Sequence, residues 1–418
     1  MNHRTRHYWT ATAVAILLTP SLVAAQASIA TNGRNLPITE KPRPDYDPLG
    51  IRSGAFLVKP QITLGLSHND NLYTVDNNTT SAWYTTLAPR LVASSGWSRH
   101  GLDLAAGVEA ARYNGHSDED YLNADLLLKG RLDVQRGSWL TGTLGVQRLH
   151  EERGSPEFDS AWAEPVRYHR QQAGISAFHG AGRASLSGGV ELQTYDFRDV
   201  KQVGGGSESQ AHRDRKVYEV NGRFAYESTP EVHPFLSLKY QWRNYDNDSG
   251  KHRDSEGYRI GIGTGFAPTG ALSGEVFIGY MQQDYKEDTQ QDISGAWYGA
   301  SVLWSPSELT SLQFDAGSSI QETIAANASG IRSANAGVRV DHELLRNLLV
   351  GAFANHTRDD YQGIDRNERY NRFGPRVTYL WNRNLSAEMD YTHTERSAHQ
   401  TSEDYTQGVF MLRLVARM

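Results

Sequence analysis

Cysteine does not occur in this 418-residue chain, which excludes a disulfide framework, thiolate metal sites and a cysteine nucleophile. A basic excess is also missing. Lys and Arg number 42 against 48 Asp and Glu, a formal net charge of -6, so phosphates go unneutralised and nucleic acid is excluded as a partner. Beyond the N-terminus no apolar run approaches the roughly 20 residues that a membrane-spanning helix needs. Methionine is scarce, at 5. Glycine (39), tyrosine (21) and tryptophan (9) are plentiful, a composition of strands and turns. The length would suit two or three soluble domains, yet a single large barrel can also use all of it.

The first residues read as a leader. Arg4 and Arg6 supply charge, Ala11 to Leu18 an apolar core, and Ala25-Gln26-Ala27 a small-residue cleavage site, so residues 1–27 are expected to be a secretory signal peptide. Residues 28–53 are polar and broken by Pro37, Pro42, Pro44 and Pro48. They bury too little to fold alone, and we expect a periplasmic N-terminal segment acting as a linker or as a peg.

From residue 54 to 418 apolar and polar residues alternate in short runs bounded by turn residues. Leu122, Ala124, Leu126, Leu128, Leu132 and Val134 share one face, and Asn123, Asp125, Lys129, Arg131 and Asp133 the other. A helix would mix these sets, so the period is two. The pattern recurs at Leu236 to Arg243, at Ala334 to Asp341 and at Phe410 to Met418. About 18 such segments, at ~20 residues per strand with its connection, suit transmembrane hairpins. Short turns (Gln135 to Ser138, Gly180 to Gly182, Asn382 to Asn384) alternate with longer polar links (Glu151 to Pro165, Arg198 to Ala211, Asp284 to Asp292). The expected fold is all-β: a single closed antiparallel transmembrane barrel with short periplasmic turns, long external loops and an even strand number. Tyr113, Tyr121, Tyr168, Tyr195, Tyr245, Tyr258, Tyr285, Tyr361 and Tyr370 fall at the long-loop ends, and Trp97, Trp139, Phe178, Phe266, Trp304 and Trp381 at the short-turn ends. They are read as two interfacial belts. A secreted sandwich also alternates, but it needs neither regular loop alternation nor aromatics sorted by strand end. Pro89 and Pro375 interrupt good strands and imply a bulge or a locally unpaired register.

The run Asp47-Pro48-Leu49-Gly50-Ile51-Arg52, followed by His68-Asn69-Asp70-Asn71-Leu72-Tyr73, resembles the beta-barrel porin family often associated with exopolysaccharide biosynthesis and export clusters. The resemblance implies an outer-membrane pore and an exit for a secreted polysaccharide. The chain ends in Met418, where outer-membrane barrels usually carry an aromatic. Phe410 and the alternation remain for the barrel-assembly machinery to read.

Alternation also names a candidate lumen wall. It carries Lys129, Arg131, Arg223, Lys239, Arg243, Arg259, Arg339, Arg372, Arg376 and Arg413 against Glu109, Asp125, Asp133, Glu191, Glu219, Glu275, Asp315, Asp341, Glu388 and Asp390. These are either ion pairs that stiffen the wall or a ladder of weak donors and acceptors over which a hydroxylated polymer slides. Trp297 and Phe353 fall on the same face and are candidates for stacking on sugar rings, or for packing under a folded-in loop. No Gly-x-Ser-x-Gly, His-Glu-x-x-His, EF-hand or P-loop pattern occurs, and Gly204-Gly205-Gly206 reads as a flexible link. His150-Glu151-Glu152 and His393-Thr394-Glu395 read as solvated clusters. Acidic loop residues such as Asp118, Glu119, Asp120, Asp246 and Asp248 could hold divalent cations against lipopolysaccharide. The reading is a passive porin-like conduit for exopolysaccharide in the outer membrane of a Gram-negative bacterium, not an enzyme, with no cofactor and no metal. Its partners would be outer-membrane lipid and lipopolysaccharide, the polysaccharide and periplasmic export proteins that supply the energy. A sugar-uptake or general diffusion porin, an outer-membrane lipid-modifying enzyme and a barrel with adhesive loops are the alternatives.

Overall fold

The computed structural model describes residues 36–246, 253–398 and 403–418. The leader read over residues 1–27, the start of the segment after it, and Asp248 lie outside these. One sheet holds 19 strands. The shortest, Ile51–Ser53, folds back on Phe56 to Val58 as a small hairpin. The other 18 run from Phe56–Asn69 to Tyr405–Arg417, are 12 to 16 residues long, and each pairs antiparallel with its neighbours. First and last strands pair from Gln61 against Arg417 to Asn69 against Val409, so the barrel closes and no edge is left.

Strand alternation sorts the two faces. Leu144, Ile175, Val190, Ile262 and Ile278 point outward and are 55–64% exposed. A continuous apolar surface of this kind is unsustainable in water and is what a lipid-facing wall requires. The opposite positions carry most of the charged residues of the strands.

The motif after the first strand fastens the closure. Asp70 Oδ1 accepts the Gly408 N–H at 2.6 Å, and Asn71 Nδ2 donates to the carbonyls of Val75 and Thr406 at 2.7 and 2.8 Å. His68-Asn69-Asp70-Asn71 thus ties its own loop to the last strand at the barrel seam.

The two strand prolines leave gaps without bulges. On one side of Pro89 the ladder runs Leu87 to Ala110 and resumes at Arg90 to Gly107. Beside Pro375 it runs Phe373 to His393 and resumes at Arg376 to Asp390. The register is unchanged across both gaps, because only the missing N–H is lost. Gly374 is required next to the second gap: a Cβ there would lie 1.7 Å from the Tyr391 carbonyl oxygen.

The interfacial belts need correction. Tyr113, Tyr121, Tyr168, Tyr195, Tyr245, Tyr285, Tyr361 and Tyr370 share the parity of the inner charges on their own strands and point inward; Tyr168, Tyr195, Tyr285, Tyr361 and Tyr370 are at most 8% exposed. Trp139 and Phe178 also face inward, stacked at 4.0 Å with Arg131 lying over Trp139. Of the residues named for the belts, Tyr258 at the long-loop end and Trp97, Trp304 and Trp381 at the short-turn end do face outward; Trp83, Tyr240, Tyr280 and Tyr391 join the first, and Tyr226 and Tyr379 the second.

Candidate pore and its two mouths

All the wall residues named from alternation lie on the inner face, opposite the exposed apolar rows. Many are engaged with one another. Arg223 grips Glu275 with two bonds of 3.0 and 2.7 Å, Lys239 meets Glu219 at 3.2 Å, and Arg339 meets Asp341 at 2.8 Å. Arg90 and Asp125 are 3.6 Å apart, Arg131 and Asp133 2.8 Å, and Arg413 sits between Asp390 and Glu388. Glu109 accepts the Tyr121 hydroxyl at 2.8 Å, Asp315 accepts the Ser301 hydroxyl at 2.8 Å, and Glu191 accepts from the Gln193 amide. Lys129, Arg259, Arg372 and Arg376 have no ion pair within 4.0 Å among the described residues, and Arg376 Nε is buried without a partner.

Glycines on the inner face of Ser255–Thr269 make room for aromatics. A Cβ at Gly263 would strike Phe235 and Phe277 at 2.5 and 2.6 Å, and one at Gly261 would meet the Trp297 ring at 3.1 Å. Trp297 therefore lies flat in a cluster with Phe277, Met281, Tyr285, Ile293 and Ile320, and only 5% of it is exposed. Its ring has no open face for a sugar. Phe353, between Gly374 and Arg339 in the ladder, is half-buried and keeps part of its ring toward the lumen.

The external mouth is filled by its own loops. The connections read as polar links carry apolar side chains that fold inward: Phe158, Trp162, Val166 and Val200 pack with Ile324 on the wall residues Tyr168, Tyr195, Phe197 and Val217. Ion pairs span the opening. Glu322, on the loop after Thr310–Gln321, pairs with Arg243 and accepts the Tyr245 hydroxyl at 2.6 Å. Arg213 meets Glu151 and lies 3.7 Å from Glu157. Arg153 holds Glu119 and donates to the carbonyls of Trp162 and Ala163. Burial pushes the Glu157 carboxyl up to about 7, offset in part by Arg213. Burial acts on Glu322 in the same direction, but Arg243 and Arg215 hold it below the ordinary carboxylate value.

Several expectations about the loops change here. Glu151 is turned inward onto Arg213 and His150 stacks on Tyr121 at 3.9 Å, so these two leave the solvated face, while Glu152 stays exposed. Gly204, Gly205 and Gly206 have φ of +90° to +104° and form the tip of a small hairpin, Val200–Lys201 with Ser207–Glu208, because only glycine adopts three such angles in succession without strain. Glu119 is committed to Arg153, Asp120 caps the Tyr113 N–H and Asp246 binds Lys216. No cluster of three or more metal-ligating side chains occurs among the described residues. Ser138 and His179 are hydrogen-bonded at 2.7 Å, and Thr310 and His342 at 2.9 Å. No third group orients either imidazole among the described residues, so neither pair has the makings of a nucleophilic triad.

At the opposite end the described part of the proline-bearing segment, from residue 36 on, is held against the barrel. It follows the inner rim. Ile38 is fully buried and its N–H donates to Ser311 Oγ at 2.9 Å; Lys41 reaches the Glu308 carbonyl, and Arg43 pairs with Glu343 at 2.8 Å. Farther on, Arg383 and Arg417 donate to the carbonyls of Pro44 and Tyr46. Burial raises the Glu40 carboxyl, and Arg339 partly offsets it.

A closed barrel with an apolar outer wall, a polar lumen and external loops folded inward defines an outer-membrane protein of the porin type. The profile of the family described as "Putative beta-barrel porin 2" matches residues 43–418, and the chain belongs to that family. No curated protein matches. Similar solved structures include OpdL of Pseudomonas aeruginosa (12% identity, 88% of this chain and 100% of that one, TM-score 0.45). OpdK of the same organism (10%, 86% and 99%, 0.44) and OccAB4 of Acinetobacter baumannii (11%, 86% and 98%, 0.46) are similar too.

Proposed function

We propose that this barrel is a passive conduit for a carbohydrate polymer leaving the periplasm, an exopolysaccharide. The observation that carries this reading is how the wall charges are used. Most are matched in pairs, so a solute meets hydroxyls, amides and half-buried rings such as Phe353 rather than a strong field. Such surfaces bind hydroxylated chains weakly and repeatedly, which suits passage over capture. The unpaired Lys129, Arg259, Arg372 and Arg376 add a bias toward sugars that carry carboxylates. Assembly machinery, lipopolysaccharide and periplasmic export proteins remain partners of this reading. Energy would come from those export proteins.

Deleting the gene should abolish cell-surface polymer while leaving small-sugar uptake unchanged; the reverse result would overturn the reading in favour of an uptake porin. In planar bilayers, Phe353→Ala should weaken current block by oligosaccharides several-fold. Trp297→Ala, which removes a packed ring, should lower thermal stability and leave the block intact.

A further inference from the structure

Two clefts on the outer wall meet at the same two residues. The first, about 660 Å³, is a shallow trough across neighbouring strands, lined on its outward side by Leu91, Ala106, Val108, Ala124, Leu126 and Val146. The small side chains of Ala106 and Ala124, with Pro89 beside them, make the depression between taller neighbours. It follows a row of paired positions, Ala106 to Leu126 to Val146, and climbs toward the external end. There it reaches Arg148 and His169, which face each other across their strands.

The same two residues line a second, polar cleft of about 270 Å³ with Arg167, Arg198, Glu164 and Asp199. Charge there is incompletely matched. Glu164 is shared between Arg167 at 3.4 Å and Lys201 at 3.6 Å, Arg198 lies 3.8 Å from the exposed Asp196, and His169 is 3.3 Å from Arg198. Arg148 is exposed and has no hydrogen-bond or ion-pair partner among the described residues. A guanidinium without a partner, two residues above the lipid-facing Val146, stands at the level of a lipid headgroup.

We infer that the two clefts form one binding site for a phosphorylated, acylated glycolipid of the outer leaflet, with acyl chains in the trough and a phosphate on Arg148 and Arg198. Three features select this occupant. The site is at the long-loop end, hence in the external leaflet. The trough offers acyl chains a mainly apolar space of about 660 Å³. The forked donors of two arginines match phosphate oxygens.

The full-length barrel, purified in detergent and stripped of lipid, is titrated with bis-phosphorylated lipid A, with phosphatidylglycerol of matched chain length, and with inorganic phosphate. Bound lipid is read by native mass spectrometry, and folding by heat-dependent gel migration. Lipid A should be retained in preference to the other two. Arg148→Ala with Arg198→Ala should weaken retention at least tenfold. Ala124→Phe, which fills the trough without touching charge, should weaken it comparably, and Lys216→Ala, an outward-facing cation elsewhere on the rim, should not. Equal retention of phosphatidylglycerol, or an equal response to inorganic phosphate, would overturn the assignment, as would unchanged retention in the folded double-arginine variant. Should Ala124→Phe fail to fold, the arginine pair decides alone.

Discussion

The two ends of the barrel are narrowed by different means. At the external end, loops that belong to the wall fold back and meet over the lumen, held by an apolar cluster and by Arg243–Glu322, Arg213–Glu151 and Arg153–Glu119. At the short-turn end a single chain segment follows the rim, held by Ile38 in its pocket and by one buried pair, Arg43–Glu343. The first closure is distributed, so no one contact governs it. The second is a chain of few contacts and should come away as a unit.

The largest effect should follow from breaking the inner strap. Removing Arg43 leaves Glu343, whose side chain is 12% exposed, facing the lumen without its partner. Losing one member of a buried pair costs about 3–5 kcal/mol. Arg43→Ala should therefore free the segment, raise single-channel conductance and expose its backbone to protease while the barrel stays folded. Glu322→Ala should do less. Arg243 loses its carboxylate, but Ile324 and the loop 151–166 still hold the external cluster together. We expect a loss of about 2–3 kcal/mol in loop docking, seen as more frequent brief openings at unchanged maximal conductance. If the two variants behaved alike, the distinction between the ends would fail.

The barrel itself was legible because a wall between lipid and water imposes a period of two on every strand, and Leu122 to Val134 displays it without interruption. The direction of the tyrosines was legible too, but the belt reading overrode it. Tyr113 has the parity of Glu109, Tyr121 that of Asp125 and Tyr245 that of Arg243, whereas Tyr258 has that of Ile260. Parity within a strand is a stronger signal than position at its end. The mouths were not legible. Arg43 and Glu343 are 300 residues apart, and Arg243 and Glu322 are 79. No local pattern announces such pairs. Phe158, Trp162 and Ile324 were the available hint, since apolar side chains in a loop must be buried somewhere. The outward Arg148 could have been noticed as a charge on the greasy parity of its strand, although what lies beside it depends on the fold.

The smallest expected effect separates the ends by pH. Glu157 lies half-buried in the external closure among Arg213, Glu151, Arg215 and Arg253, and its carboxyl sits at about 7 against an ordinary value of 4.5. The docked loop thus binds a proton that the released loop gives up. Docking is strongest below about 4.5, weakens as pH rises through about 7, and is insensitive above that. Glu322 runs the other way: its lowered carboxyl supports docking above the ordinary value of 4.5 and withdraws that support only in stronger acid. Between pH 5 and 8 the external loops should therefore loosen with rising pH, and open probability should rise modestly. Glu157→Gln should flatten most of this dependence. Glu40→Gln should remove a smaller part, because Glu40 is raised in the same direction but lies on the strap. A pH profile left intact by Glu157→Gln and abolished by Glu40→Gln would move the proton-sensitive closure to the inner rim.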